Sequence, residues 1–289
     1  MSAPLSTLEL QAVGGNRQAR AAHPRLFRDT MAVLSGLRPG FMLDYALLTP
    51  SQLAAAVAGV ARALRLPLAG LCVAELGECC CLVRPSLLPS RVCSGSPPHG
   101  QQAGAAPHVM LMAFDGGHSA SWAHGAQAAE ATAQLLALRT GLLAATDANA
   151  ERQQGCGIPT VLADGLPGWQ ALAPPTARGF LLGYPAVYLC HDLEGAQAAS
   201  RYLSSSSLHL HSVSCELRLP QGVPAMPAGQ PLLAFSVPAE LAAANDWAAC
   251  HAAWQAGLRE RHARAVQEGL PWGELQTEVA SQRPRPVAL

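Results

Sequence analysis

The chain contains no lysine, so all 19 of its Lys and Arg positions are arginine. That absence removes whole classes of chemistry. A Schiff base needs the lysine amine, and so does the phosphate loop of ordinary P-loop NTPases. Pyridoxal phosphate is therefore excluded as a cofactor, together with class I aldolase and P-loop activities. Other cofactors stay unknown, and a metal is not excluded.

Charge is scarce as well. Only 13% of the residues are charged and the formal net charge is zero, which argues against a partner as polyanionic as nucleic acid. No uncharged apolar run approaches the ~20 residues needed to cross a bilayer, so no membrane is expected either. The expected partner is an unknown protein or a small molecule. Isoleucine occurs once, at Ile158; with the missing lysine, this fits a G+C-rich coding sequence.

Cysteine is not scarce, but it is unorganised. There are 9 cysteines, an odd number, and none forms a CxxC pair. Cys79, Cys80 and Cys81 are consecutive, so on a strand only Cys79 and Cys81 share a face. The first residues hold no apolar signal core. Reduced thiols in the cytoplasm are the expectation. The alternative is an organelle, because Arg17, Arg20, Arg25 and Arg28 against Glu9 and Asp29 resemble a weak transit peptide.

The expected organisation is a flexible N-terminus over residues 1–24, one domain over 25–281 and a disordered tail over 282–289. Residues 94–107 and 221–230 are polar Gly/Pro loops within that domain. Half of the residues are hydrophobic, enough to fill a sizeable core. Residues 40–47 form a short apolar run, and Thr49-Pro50 then opens a helix to Arg65, with Thr49 as N-cap. Residues 68–76 and 79–83 suit a hairpin about Gly77. Residues 109–114 read as a buried strand, and 126–145 as a helix whose spacing gathers Leu135, Leu136, Leu138, Leu142 and Leu143 mostly onto one face. Gly183 and Pro185 together stop a helix, and 186–190 is an apolar strand. Residues 212–219 alternate, with Val213, Cys215, Leu217 and Leu219 inward. A strand over 231–237 precedes a C-terminal helix carrying Trp247, Trp254 and Leu258, which the spacing assigns to the core. Strands separated by helices, with two hairpin-like pairs, predict an α/β or α+β domain built on one mixed β-sheet.

Three segments stand out: 38–46 (RPGFMLDYA), 179–190 (GFLLGYPAVYLC) and 232–241 (LLAFSVPAEL). In this order they resemble uncharacterised protein family 0739, the chromosome 1 open reading frame 74 proteins, a domain of unknown function. Arg38 stands where that family commonly has lysine. The resemblance spans roughly residues 25–280 and implies a single domain without supplying an activity.

The candidate catalytic residues are Asp44, Asp115, His191 and Asp192, because each follows a predicted strand. Ligands of open α/β sheets bind beyond the carboxyl ends of the strands. If the strands run parallel, three carboxylates and a histidine would meet on one edge. The plainer reading is that Asp ends strands and caps helices everywhere. Tyr45, Gly183, Tyr184 and Pro185 are candidate binding residues; for Gly183 and Pro185 the helix stop is already a sufficient role.

Two further patterns carry less. Residues 117–121 (GHSAS) imitate a nucleophile elbow at Ser119, with Asp192 and His251 downstream, but Ser121 replaces the second glycine. His209, His211 and Cys215 share a strand face, yet no further ligand joins them, so no metal site is assigned. The functional reading is a non-catalytic interaction or adaptor-like protein. The alternative is a small-molecule hydrolase-like enzyme using the strand-end acids Asp44, Asp115 and Asp192 with His191, with or without a metal, which predicts that the three acids share one cleft.

Overall fold

A computed structural model describes residues 17–77, 79–93, 108–115, 118–152, 157–218 and 230–282. Helix α1 (Arg17–Leu34) leads into strand β1 (Gly40–Leu43). Helix α2 (Pro50–Leu64) precedes the hairpin of β2 (Cys72–Leu76) and β3 (Cys79–Val83). Then come β4 (Arg91–Cys93), β5 (His108–Asp115), β6 (Ser119–Trp122), the long helix α3 (Gly125–Arg152) and β7 (Thr160–Leu162). Helix α4 (Pro174–Leu181), β8 (Ala186–Tyr188), α5 (Leu193–Ser205) and β9 (Leu208–Leu217) follow. The chain closes with β10 (Leu233–Pro238), α6 (Ala239–Ala242), α7 (Asn245–Gln267) and β11 (Trp272–Gln282).

Local signals act as read. The Thr49 hydroxyl accepts the Gln52 N–H at 3.3 Å, and the Gln52 side chain accepts the Thr49 N–H at 2.9 Å. This reciprocal capping box satisfies two donors that a helix start leaves open. Thr49→Ala should cost about 1 kcal/mol, seen in urea unfolding as a lower midpoint with an unchanged slope. At the other end of α2, Arg65 takes the left-handed cap at φ 55°.

The sheet expectation needs correction. The described residues hold three separate sheets, not one mixed sheet, and the fold is α+β. The first has the order β1-β3-β2-β7, the third β10-β9-β11. In the second, β5 pairs with β4 and β8 in parallel and with β6 antiparallel. The cause is topological: β1 and β9 pair only with antiparallel neighbours of their own groups, a grouping that strand patterning does not encode. Strand β11 was not expected at all. It runs through Gln282, the first residue of the expected tail, and α1 starts at Arg17, inside the stretch 1–24. Residues 1–16, 94–107, 221–229 and 283–289 lie outside the described residues, as does Leu219.

Three apolar clusters hold these sheets together. One joins α1, β1 and α2 through Leu26, Phe41 and Val57 to Cys215, Leu217 and Trp272 from the other end of the chain. The second packs Leu135, Leu138 and Leu142 of α3 and Phe180 of α4 against β5 and β8. The third lies on the opposite face of β5 and gathers Val213, Phe235, Trp247, Trp254 and Leu258. Trp247 and Trp254 are therefore core residues.

Candidate ligand cleft

Helix α4 is pinned in place before any ligand is considered. The Thr176 hydroxyl accepts the Cys190 N–H at 2.9 Å and donates to the Tyr188 carbonyl at 2.8 Å. Gly179 brings α4 so near β8 that a Cβ would lie 3.2 Å from Val187. The helix then stops at Gly183, φ +74°, where the Gly183 N–H reaches the Phe180 carbonyl and the Tyr184 N–H the Gly179 carbonyl. This left-handed closure turns Tyr184 toward β1 and β10.

Two adjoining cavities result, sharing Met42, Leu182 and Tyr184 in their walls. The first, about 390 Å³, is lined by Arg25, Arg28, Asp29, Arg38 and Asp44. The second, about 260 Å³, is aromatic, with Tyr188 and Phe235 beside Ser236, and among the described residues its one charged wall residue is Arg178. A wider hollow of about 780 Å³ continues past Asp44 and Tyr45 to Glu75, Cys79 and Arg178.

The first cavity is mostly charge-balanced. Asp29 is buried and bonded to Arg28 at 3.3 Å, to Arg25 at 3.7 Å and to the Tyr45 hydroxyl at 3.1 Å. Arg25 also reaches Asp44 at 3.3 Å and lies 3.8 Å above the Tyr45 ring centroid. Burial, then the Asp29 charge, pushes the Tyr45 phenol far above its ordinary range, so it stays a neutral donor. In the second cavity, Tyr188 donates to the Ser236 carbonyl at 3.1 Å, and burial pushes its phenol up to about 12. Burial raises Tyr184 as well. At neutral pH the tyrosines are therefore uncharged, and the O–H donors of Tyr45 and Tyr188 are already spent on Asp29 and Ser236.

Arg178 is different. Its Nε is buried without a hydrogen-bond partner, and among the described residues no carboxylate stands within ion-pair distance of it.

The four candidate catalytic residues do not meet. Asp44 follows β1 in the first sheet and lines the cleft. Asp115 ends β5, and His191 and Asp192 follow the parallel strand β8, in the second sheet; all three are exposed. The Asp192 carboxylate accepts the Gly195 N–H at 2.7 Å and caps α5, which is the plainer role foreseen for it. Among the described residues no three His, Cys, Asp or Glu side chains are grouped to hold a metal. Tyr45 and Tyr184 line the hollows, while Gly183 and Pro185 shape the turn.

The elbow reading is corrected too. Ser119 opens β6 and pairs with Asp115 across a hairpin, so the strand-to-helix turn that an elbow requires is missing; Gly117 lies outside the described residues. His251 packs between Trp247 and Trp254, at ring distances of 5.2 and 5.8 Å. The residues missed from sequence are the arginines. Arg25 and Arg28 stand one helical turn apart on α1, but only folding brings Arg38 and Arg178 to the same cleft.

The class defined by this fold is an α+β domain with a small-molecule-sized cleft walled by strands of its three sheets. The chain belongs to the family described as a domain of unknown function, DUF4504, whose model matches residues 110–289. No curated protein and no solved structure matches it. Among the described residues no helix is long and apolar enough to cross a membrane.

Proposed function

We propose that this domain binds a small organic anion with an apolar body in the cleft around Met42 and Tyr184. One observation carries the reading: Arg178 lines the aromatic cavity with a buried, unpartnered Nε, and among the described residues no carboxylate stands within ion-pair distance of it. A buried N–H donor without a partner is costly, and a carboxylate would satisfy it through a charge-assisted hydrogen bond. Tyr188, Phe235 and Leu182 supply the apolar surface expected around such a group.

A second support comes from the three segments that carry the resemblance. Residues 38–46 contribute Arg38, Met42 and Asp44; residues 179–190 contribute Leu182, Tyr184 and Tyr188; residues 232–241 contribute Leu233 and Phe235. Segments nearly 200 positions apart thus wall one cleft. The same three segments support assigning the chain to uncharacterised protein family 0739. The non-catalytic character foreseen from sequence is kept, while the partner becomes a small molecule. Hydrolysis by the strand-end acids has less support, because Asp44 stands apart from Asp115, His191 and Asp192.

Calorimetry with a panel of aliphatic and aromatic monocarboxylates tests the reading. Arg178→Gln should weaken binding about tenfold while leaving the unfolding midpoint nearly unchanged. Binding that ignores this substitution would sink the assignment.

A further inference from the structure

A second arginine says what kind of anion. Arg38 is only 8% exposed, and among the described residues it has no carboxylate within ion-pair distance. Its Nε donates to the Gly40 carbonyl at 2.6 Å, and one terminal nitrogen donates to the Leu232 carbonyl at 2.8 Å. A guanidinium carries about five N–H donors, so most of its capacity is unspent. Neutral carbonyls orient the cation without neutralising it.

The charges of the two cavities can be compared directly. Around Arg38, Arg25 and Arg28 are already engaged by Asp29 and Asp44, and Arg38 is left over. In the aromatic cavity, Arg178 is left over. Among the described residues each cavity thus holds one arginine without an acid in ion-pair distance, and Met42, Leu182 and Tyr184 line both. We propose that a single ligand spans both, and that it is an organic dicarboxylate. One carboxylate sits on Arg38, the other on Arg178, with an apolar spacer across Met42 and Tyr184. A phosphate dianion suits the Arg38 end less well, because Asp29 and Asp44 share that cavity. This inference rests on the reading that the cleft binds a small organic anion.

The test is calorimetric titration of the full chain with the alkanedioates from adipate to sebacate and their matching monocarboxylates. At the spanning length the dicarboxylate should bind about tenfold tighter than its monocarboxylate, and the gain should fall away for shorter and longer chains. That length dependence is read on the unaltered protein, so it does not depend on a variant that folds. Arg38→Met should bring the spanning dicarboxylate down to the affinity of its monocarboxylate. Monocarboxylate binding without a dicarboxylate gain at any length overturns the inference and leaves the cleft reading standing. If neither class binds, both fall.

Discussion

Gly183→Ala is expected to destabilise the domain by about 2–5 kcal/mol and to abolish binding in the cleft. Two costs add at this position. The backbone is left-handed at φ +74°, a region that side chains other than glycine occupy with strain. A Cβ would also lie 2.3 Å from Cγ and 2.6 Å from Cδ of Pro39. Proline cannot swing away as a flexible side chain can, so relief requires moving the chain that carries Arg38 and Met42. The Gly183 carbonyl, which accepts the Trp254 indole N–H at 3.3 Å, would be displaced too. Gly70→Ala is the control. Its φ is +76°, yet nothing lies within 4 Å of the new Cβ, so it reports backbone strain alone, about 1 kcal/mol. Chemical denaturation of both variants separates the two costs. Equal losses would mean that the contact with Pro39 constrains nothing.

Acid should unfold the protein through His211. This imidazole is 4% exposed, and both ring nitrogens are buried without a hydrogen-bond partner. It stacks on Phe235 at 4.9 Å and meets His251 edge-on at 4.5 Å. Burial, then the neighbouring charges of His251 and His209, pushes its pKa down to about 4. The folded state therefore binds a proton less readily than the unfolded chain. The stability it contributes is complete above pH ~6.5, the unfolded value, and is lost as the pH falls toward 4; the change is about 3 kcal/mol. His251, lowered by burial and by Arg259, adds to the loss in the same direction. His211→Phe keeps the stacked ring and removes the titration. Urea unfolding at pH 7 and pH 4.5 should show a large drop for the parent protein and a much smaller one for the variant. Equal drops would clear His211 of the effect.

How far the sequence reached is clearest at particular residues. Thr49, Gly77 and the Gly183–Pro185 stop were legible because caps and tight turns are set within a few residues of the chain. Strands β5 and β8 were legible as continuous apolar runs, and their parallel pairing places Asp115 and His191 at the same edge. Asp44 broke that pattern because β1 pairs only with β3, in another sheet. Strand β11 escaped notice because it is an edge strand, exposed along most of its length, so no apolar alternation marks it. The cleft was half legible. Asp44, Tyr45 and Tyr184 were singled out, but Arg38 and Arg178, the cleft arginines without an acid partner among the described residues, stand 140 positions apart, and no local pattern relates them.

The cluster that joins Leu26, Phe41 and Leu82 to Cys215, Leu217 and Trp272 also orders events at the ribosome. The first sheet emerges well before the strands that complete its core. Until Trp272 has left the exit tunnel, a nascent chain of more than 200 residues displays an uncovered apolar face. Contacts closed over such sequence distances form slowly, and transiently exposed faces invite aggregation. The newly made protein should therefore be a client of the cell's chaperones until its last strand arrives.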